Sequence, residues 1–144
     1  MPGIDECLLA AMGLPGARGA AVVDWTSGLA LGTIGAAVSG DHEATAADTA
    51  ELARLAAEQL TLAEAPADVS TSADGSATAA GAPPHGLPVE DLIVTARDGY
   101  HLLRYVETAF DSSVVLHLWL DRREGNLALA RLRLGELSRA LVLG

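Results

Sequence analysis

The chain has 144 residues and a formal charge of -10, from 19 acidic residues against nine basic ones; a length in this range forms one domain, 1–144. All nine basic residues are arginine, so no P-loop, Schiff-base or kinase-strand lysine exists, and an acidic chain without an arginine run repels phosphate backbones, which argues against a nucleic-acid partner. Residues 1–90 hold twelve acids and two arginines, while 91–144 hold seven of each, so the whole net charge sits in the first ninety residues.

From Ile4 to Met12 the residues Ile4, Cys7, Leu8, Ala11 and Met12 recur at three- and four-residue spacing, which predicts an amphipathic helix with Asp5 and Glu6 in its first turn. Gly13-Leu14-Pro15-Gly16 ends it. Gly19 to Trp25 and Leu29 to Ile34 then read as two short strands joined at Thr26-Ser27-Gly28. Ser39 or Asp41 caps a long helix from His42 to about Ala65, on which three faces are distinguishable. Thr45, Thr49, Leu52, Leu55, Ala56, Leu60 and Leu62 form an apolar face suited to lie on a sheet. Ala46, Ala50, Ala53 and Ala57 form a stripe of methyl groups that would let another helix approach closely, although alanine is also simply the best helix former. Glu43, Glu51, Arg54 and Glu58 form the wet face, a candidate partner surface.

Residues 66–86 are small, polar and rich in proline and glycine without periodicity, and read as a flexible insertion. Val89 to Arg97 and Tyr100 to Glu107 read as a second hairpin turning at Asp98-Gly99. Ser112 to Leu120 is apolar on both sides, Val115, His117 and Trp119 facing one way and Val114, Leu116, Leu118 and Leu120 the other, the pattern of a strand inside a sheet with layers above and below. Asn126 caps a last helix with Leu127, Ala130, Leu134, Leu137 and Leu141 as its core stripe. Leu129 and Leu132 fall opposite that stripe, against the first helix or a partner, the former favoured because two leucines make a small patch. Helix, two strands, helix, three strands, helix is the order of a three-layer α/β domain with a largely antiparallel sheet.

Chemistry is sparse along this chain. The histidines His42, His85, His101 and His117 lie at no metal-ligand spacing, and Cys7 is distant from all of them in sequence, so no metal or cofactor is expected and Cys7 reads as a buried apolar side chain. Ser39, Asp41 and His42 are the residue types of a hydrolase triad but stand at a helix start, where serine and aspartate serve as caps. Arg122, Arg123 and the last-helix arginines Arg131, Arg133 and Arg139 could meet an acidic partner. No residues are therefore assigned a catalytic role. The acidic Met1–Glu6 lacks a signal-peptide pattern and the uncharged run Trp25–Gly40 is too short to span a bilayer, so the chain reads as soluble and cytoplasmic.

Gly16-Ala17-Arg18-Gly19-Ala20-Ala21-Val22-Val23-Asp24, with Ser27-Gly28-Leu29-Ala30-Leu31, resembles the first hairpin of the roadblock / dynein light-chain family. Val89–Val94, Gly99-Tyr100, Leu116–Asp121 and Asn126–Ala130 resemble its third to fifth strands and last helix, and the resemblance covers residues 3–62 and 87–144. It implies a five-stranded antiparallel sheet with the second helix on one face and the first and last helices on the other. It further implies a homodimer in which third strands (Leu92, Ile93, Val94) pair edge to edge and second helices lie side by side through Ala46, Ala50, Ala53 and Ala57. The implied function is that of a non-enzymatic scaffold or regulator of a small Ras-like GTPase, with a sensor-kinase-like protein as a further partner. A small-ligand sensor with a polar-lined cavity near His101, Tyr105 or His117 is the alternative from a different class. The acidic first half implies a partner with a basic docking face and salt-sensitive binding.

Overall fold

A computed structural model describes residues 3–59, 89–106 and 113–141; the insertion expected at 66–86 and the end of the second helix past Gln59 lie outside the described residues. The elements follow in the order α1 (Ile4–Met12), β1 (Ala17–Asp24), β2 (Leu29–Gly35), α2 (His42–Gln59), β3 (Asp91–Thr95), β4 (Gly99–Val106), β5 (Val114–Asp121) and α3 (Leu127–Ala140). The five strands form one sheet in the order β2-β1-β5-β4-β3 with every pairing antiparallel, so β2 and β3 are its edges. The sheet and helices thus have the α/β architecture expected from the sequence.

Local chemistry explains the joints. Gly16 sits at φ +77°, and a Cβ there would meet the Gly125 backbone nitrogen at 2.5 Å, so the turn from α1 into β1 needs a residue without a side chain. After β1, the Asp24 carboxylate accepts from the Thr26 N–H at 2.9 Å and from the Thr26 hydroxyl at 2.7 Å, which folds the hairpin over Gly28 without an acidic-glycine turn. The Asn126 side chain accepts the Leu129 N–H at 3.0 Å and so caps α3.

Alternation along the strands produces two cores. On one face Leu8, Val22, Leu102, Leu116, Leu118, Leu120, Leu134 and Leu137 pack together under α1 and α3, with Cys7 fully buried among them. Here α1 covers β1 and β2, while α3 covers β4 and β5. On the other face Val23, Trp25, Leu103, Tyr105 and Val115 meet α2 alone. That helix lies over β1 and β2, so the β4–β3 half of its face is covered only in part. Leu129 and Leu132 do not pack on α1: they are 41% and 63% exposed, because α3 turns its Ala130, Leu134 and Leu137 stripe to the sheet.

Candidate docking face

The face carrying α2 is where most of the expected site residues fall. The sheet presents large side chains there, Trp25, Leu103 and Tyr105, and the helix answers with small ones: Ala46, Ala50, Ala53 and Ala56 are all at most 2% exposed. Large against small is the way facing layers fill space, and it seats the helix close to the sheet. Two polar contacts fix its height and rotation. The Tyr105 hydroxyl donates to the Ala53 carbonyl, and the Arg54 guanidinium donates to the Trp25 carbonyl at 3.0 Å. Burial pushes the Tyr105 hydroxyl up to about 12, so it remains a donor throughout the physiological range.

This geometry corrects the expected division of α2. Ala46, Ala50 and Ala53 are inside the protomer and offer no free surface on which a second helix could lie, while Ala57 is half-buried against the same core. Leu52 and Leu55, expected on the sheet, are instead 37% and 54% exposed on the flank of the helix. The physical reason is the bulk of the strand side chains, which leaves room for methyl groups and not for leucines. Glu43, Glu51 and Glu58 are exposed as expected, whereas Arg54 is half-buried by its bond to Trp25. On β3, Leu92 packs in the α2-side core, Ile93 in the opposite core, and Val94 lines a cavity beneath α2.

That cavity, of about 180 Å³, lies between α2 and the β4–β3 half of the sheet, and its wall includes Thr45, Asp48, Thr49, Val94, His101 and His117. His101 Nδ1 stands 3.1 Å from His117 Nε2, so one proton is shared between two imidazoles. Trp119 stacks on His101 with ring centroids 6.0 Å apart, and the Arg18 guanidinium lies 4.0 Å from the Trp119 ring centroid. Burial first, and then the neighbouring His101, lowers His117 to about 4; burial also lowers His101, against the raising pull of the Asp98 carboxylate. Both rings are therefore neutral at physiological pH. Sequence reasoning named this neighbourhood as the place for a cavity but had no means of pairing the two histidines, which the β4–β5 register brings together.

The residues of a possible hydrolase triad serve the start of α2. The Ser39 hydroxyl donates to the Asp41 carbonyl at 3.1 Å, the Asp41 carboxylate accepts the Glu43 N–H at 3.0 Å, and His42 Nε2 lies 3.1 Å from the Gly35 carbonyl oxygen. These are cap and anchor contacts, with no nucleophile–base pair among them. Among the described residues no cluster of three or more His, Cys, Asp or Glu could hold a metal ion, and no helix is long and apolar enough to cross a membrane.

This order of elements, with one helix against two across a five-stranded antiparallel sheet, is the roadblock fold. The chain is similar to a roadblock/LC7 domain from Streptomyces avermitilis, with a TM-score of 0.64 at 14% identity, over 96% of this chain and 94% of that one. It is also similar to Myxococcus xanthus MglB, with a TM-score of 0.64 at 19% identity over 94% and 81% of the two chains. A third solved structure, the gliding protein MglB from Thermus thermophilus, superposes with a TM-score of 0.60 at 16% identity over 95% and 84%. No family model and no curated protein sequence matches the chain.

Proposed function

We propose that the chain is a homodimeric, non-enzymatic regulator of a small Ras-like GTPase, acting through binding surfaces and without chemistry of its own. The observation that carries the reading is the incomplete cover of the α2 face. Two helices roof one side of the sheet, one helix roofs the other, and the edge strand β3 lies on the side left partly open. A second copy related by a two-fold axis would supply what is missing, extending the sheet through β3 and laying its own α2 beside the first. The contact on α2 then falls to Leu52 and Leu55, with Leu92 and Val94 below, in place of the alanine stripe. The GTPase assignment rests on the likeness of fold to roadblock and MglB proteins together with the sequence resemblance. Exposed Glu43, Glu51 and Glu58 give α2 an acidic outer side, suited to a basic face on the GTPase.

Light scattering at micromolar concentration tests the dimer. The wild type is expected to be dimeric, and Leu52→Glu with Leu55→Glu to be monomeric with an unchanged circular dichroism spectrum; a monomeric wild type overturns the reading. Capture from the native host, followed by a GTPase assay of the recovered partner in rising salt, tests the rest. Binding that does not weaken with salt contradicts the acidic docking side.

The cavity beneath α2 supports a second reading, a small-ligand sensor. Its volume of about 180 Å³ and its mixed wall of Val94 and Leu52 with Thr45, Thr49 and His101 suit a small, mostly apolar molecule carrying one or two polar atoms. A fragment screen by amide chemical shifts decides it: hits that move His101 and Thr49 and vanish in Thr49→Leu support a sensor, and no such hits leave the GTPase reading.

A further inference from the structure

The arginines of the last helix find no role in the function just described; Arg133 pairs with Glu136, and the structure gathers the other two at one place. Ala128, Arg131, Leu132, Gly135 and Arg139 recur along one side of α3, and with Arg104 and Glu90 they enclose an open cleft of about 560 Å³ on the face of the sheet opposite α2. Gly135 is buried and forms its floor. A Cβ at Gly135 would lie 3.6 Å from Arg139 Nη1 and 3.7 Å from Arg104 Cζ, so two guanidinium groups converge over a residue with no side chain.

Their charges are incompletely answered. Arg104 Nε is buried with no hydrogen-bond partner among the described residues, and Arg104 Nη1 reaches Asp91 only at 3.6 Å and Glu90 at 3.8 Å, beyond good hydrogen-bonding distance. Asp91 is already engaged by Arg131, at 2.7 Å to Nε and 3.4 Å to Nη2. Among the described residues Arg139 forms no ion pair. Converging like charges with unmet donors call for a planar anion, because a carboxylate can accept two N–H bonds at once from a guanidinium fork. Beside them Leu132, 63% exposed, offers an apolar shelf.

We propose that this cleft is a second docking site, for an acidic segment of a partner protein. One Asp or Glu carboxylate would sit between Arg104 and Arg139 over Gly135, and a neighbouring apolar side chain would cover Leu132. Glu90 and Asp91 on the rim, in a chain of net charge -10, oppose a densely charged polyanion and favour an isolated carboxylate with apolar flanks. The site lies across the sheet from α2, with Asp91 of the β3 edge at its rim, so the α2 face can be occupied at the same time, and it does not depend on the GTPase.

Fluorescence anisotropy of the full chain with a labelled peptide of alternating Glu and Leu tests the proposal, and variants inside the cleft separate binding there from binding at other arginines. Binding is expected at low ionic strength. It should weaken about tenfold in Arg139→Glu, and as much in Gly135→Glu, whose own carboxylate would take the place of the ligand's. Leu29→Glu, at an equally exposed leucine on β2, the far edge of the sheet, should leave it unchanged, and circular dichroism checks that each variant is folded. The proposal is overturned by any of three results: no binding to the wild type, equal binding of the Gln-for-Glu peptide, or equal affinity in folded Arg139→Glu. Displacement of the peptide by inorganic phosphate at comparable concentration also overturns it, since that describes a general anion site and not a protein dock.

Discussion

The two faces of the sheet are built by different rules. Beneath α1 and α3, aliphatic side chains come from both layers, Leu8, Leu134 and Leu137 from the helices against Val22, Leu102, Leu116 and Leu118 from the strands. Beneath α2 the strands contribute the bulk and the helix contributes methyl groups, and there the chain buries Thr49, His117 and the Tyr105 hydroxyl. Hydrophobic burial is large and indifferent to direction, whereas hydrogen-bonded polar groups fix one arrangement at modest net gain. The first face therefore supplies most of the stability. The second sets the position of α2, and with it the incompletely covered surface beside β3.

The largest expected effect follows from the fully buried strand leucines. Leu118→Ala, at a site with no exposure, should cost about 3–5 kcal/mol in urea unfolding, a large part of the stability of a domain this size. Leu55→Ala, on the exposed flank of α2, should change protomer stability by under about 0.5 kcal/mol. Comparable losses at the two positions would break the distinction between the faces.

A smaller effect separates them by pH. In the folded chain His117 is depressed to about 4 from the ordinary 6.5, by burial and then by His101. The unfolded state therefore takes up the proton first, so the stability present above about pH 6.5 is lost as the pH falls toward 4. At pH 5 the loss should be about 2 kcal/mol relative to pH 7, and His101, shifted in the same direction, adds to it. Urea titrations at both pH values should show this difference shrinking in His117→Leu. An unchanged difference would mean that the pair does not govern acid stability in this window.

Much of this organisation was legible in the residues. The spacing of Ile4, Cys7, Leu8, Ala11 and Met12 gave α1 its observed bounds, and the double alternation of Val114 to Leu120 assigned each side chain to the face it occupies. Asn126 was readable as a cap because its chemistry is local. The rotation of α2 was not, since larger apolar residues are ordinarily turned inward and alanine is common in any helix. Only the facing strands, with Trp25 and Tyr105 on that side, decide that methyl groups fit and leucines do not. Leu129 and Leu132 were misassigned for a related reason: the stripe they lie opposite satisfies the sheet, and nothing local indicates that these two leucines stay exposed although α1 and α3 touch. The cleft around Gly135 is likewise tertiary, because Arg104 and Arg139 are far apart in sequence and meet only through the packing of α3 on β4.

One expected effect is a gain. Gly135 lies inside α3 with ordinary backbone angles, and the nearest atoms to an added Cβ are guanidinium ends at 3.6 and 3.7 Å, which is normal contact. Replacing glycine by alanine inside a helix contributes up to about 1 kcal/mol through backbone entropy, so Gly135→Ala should raise the melting temperature by a few degrees. On the α2 side the equivalent move fails. Ala50→Leu would force three further carbons between α2 and strands already carrying Leu103 and Tyr105, at a cost of about 1–3 kcal/mol. Opposite signs for these two helix substitutions, both of which enlarge a buried small residue, would show that glycine at Gly135 leaves usable space while the alanines of α2 fill theirs. A loss at Gly135 matching that at Ala50 would mean that Arg104 and Arg139 are held too tightly to make room. The carboxylate site over Gly135 would then be closed to a ligand as well.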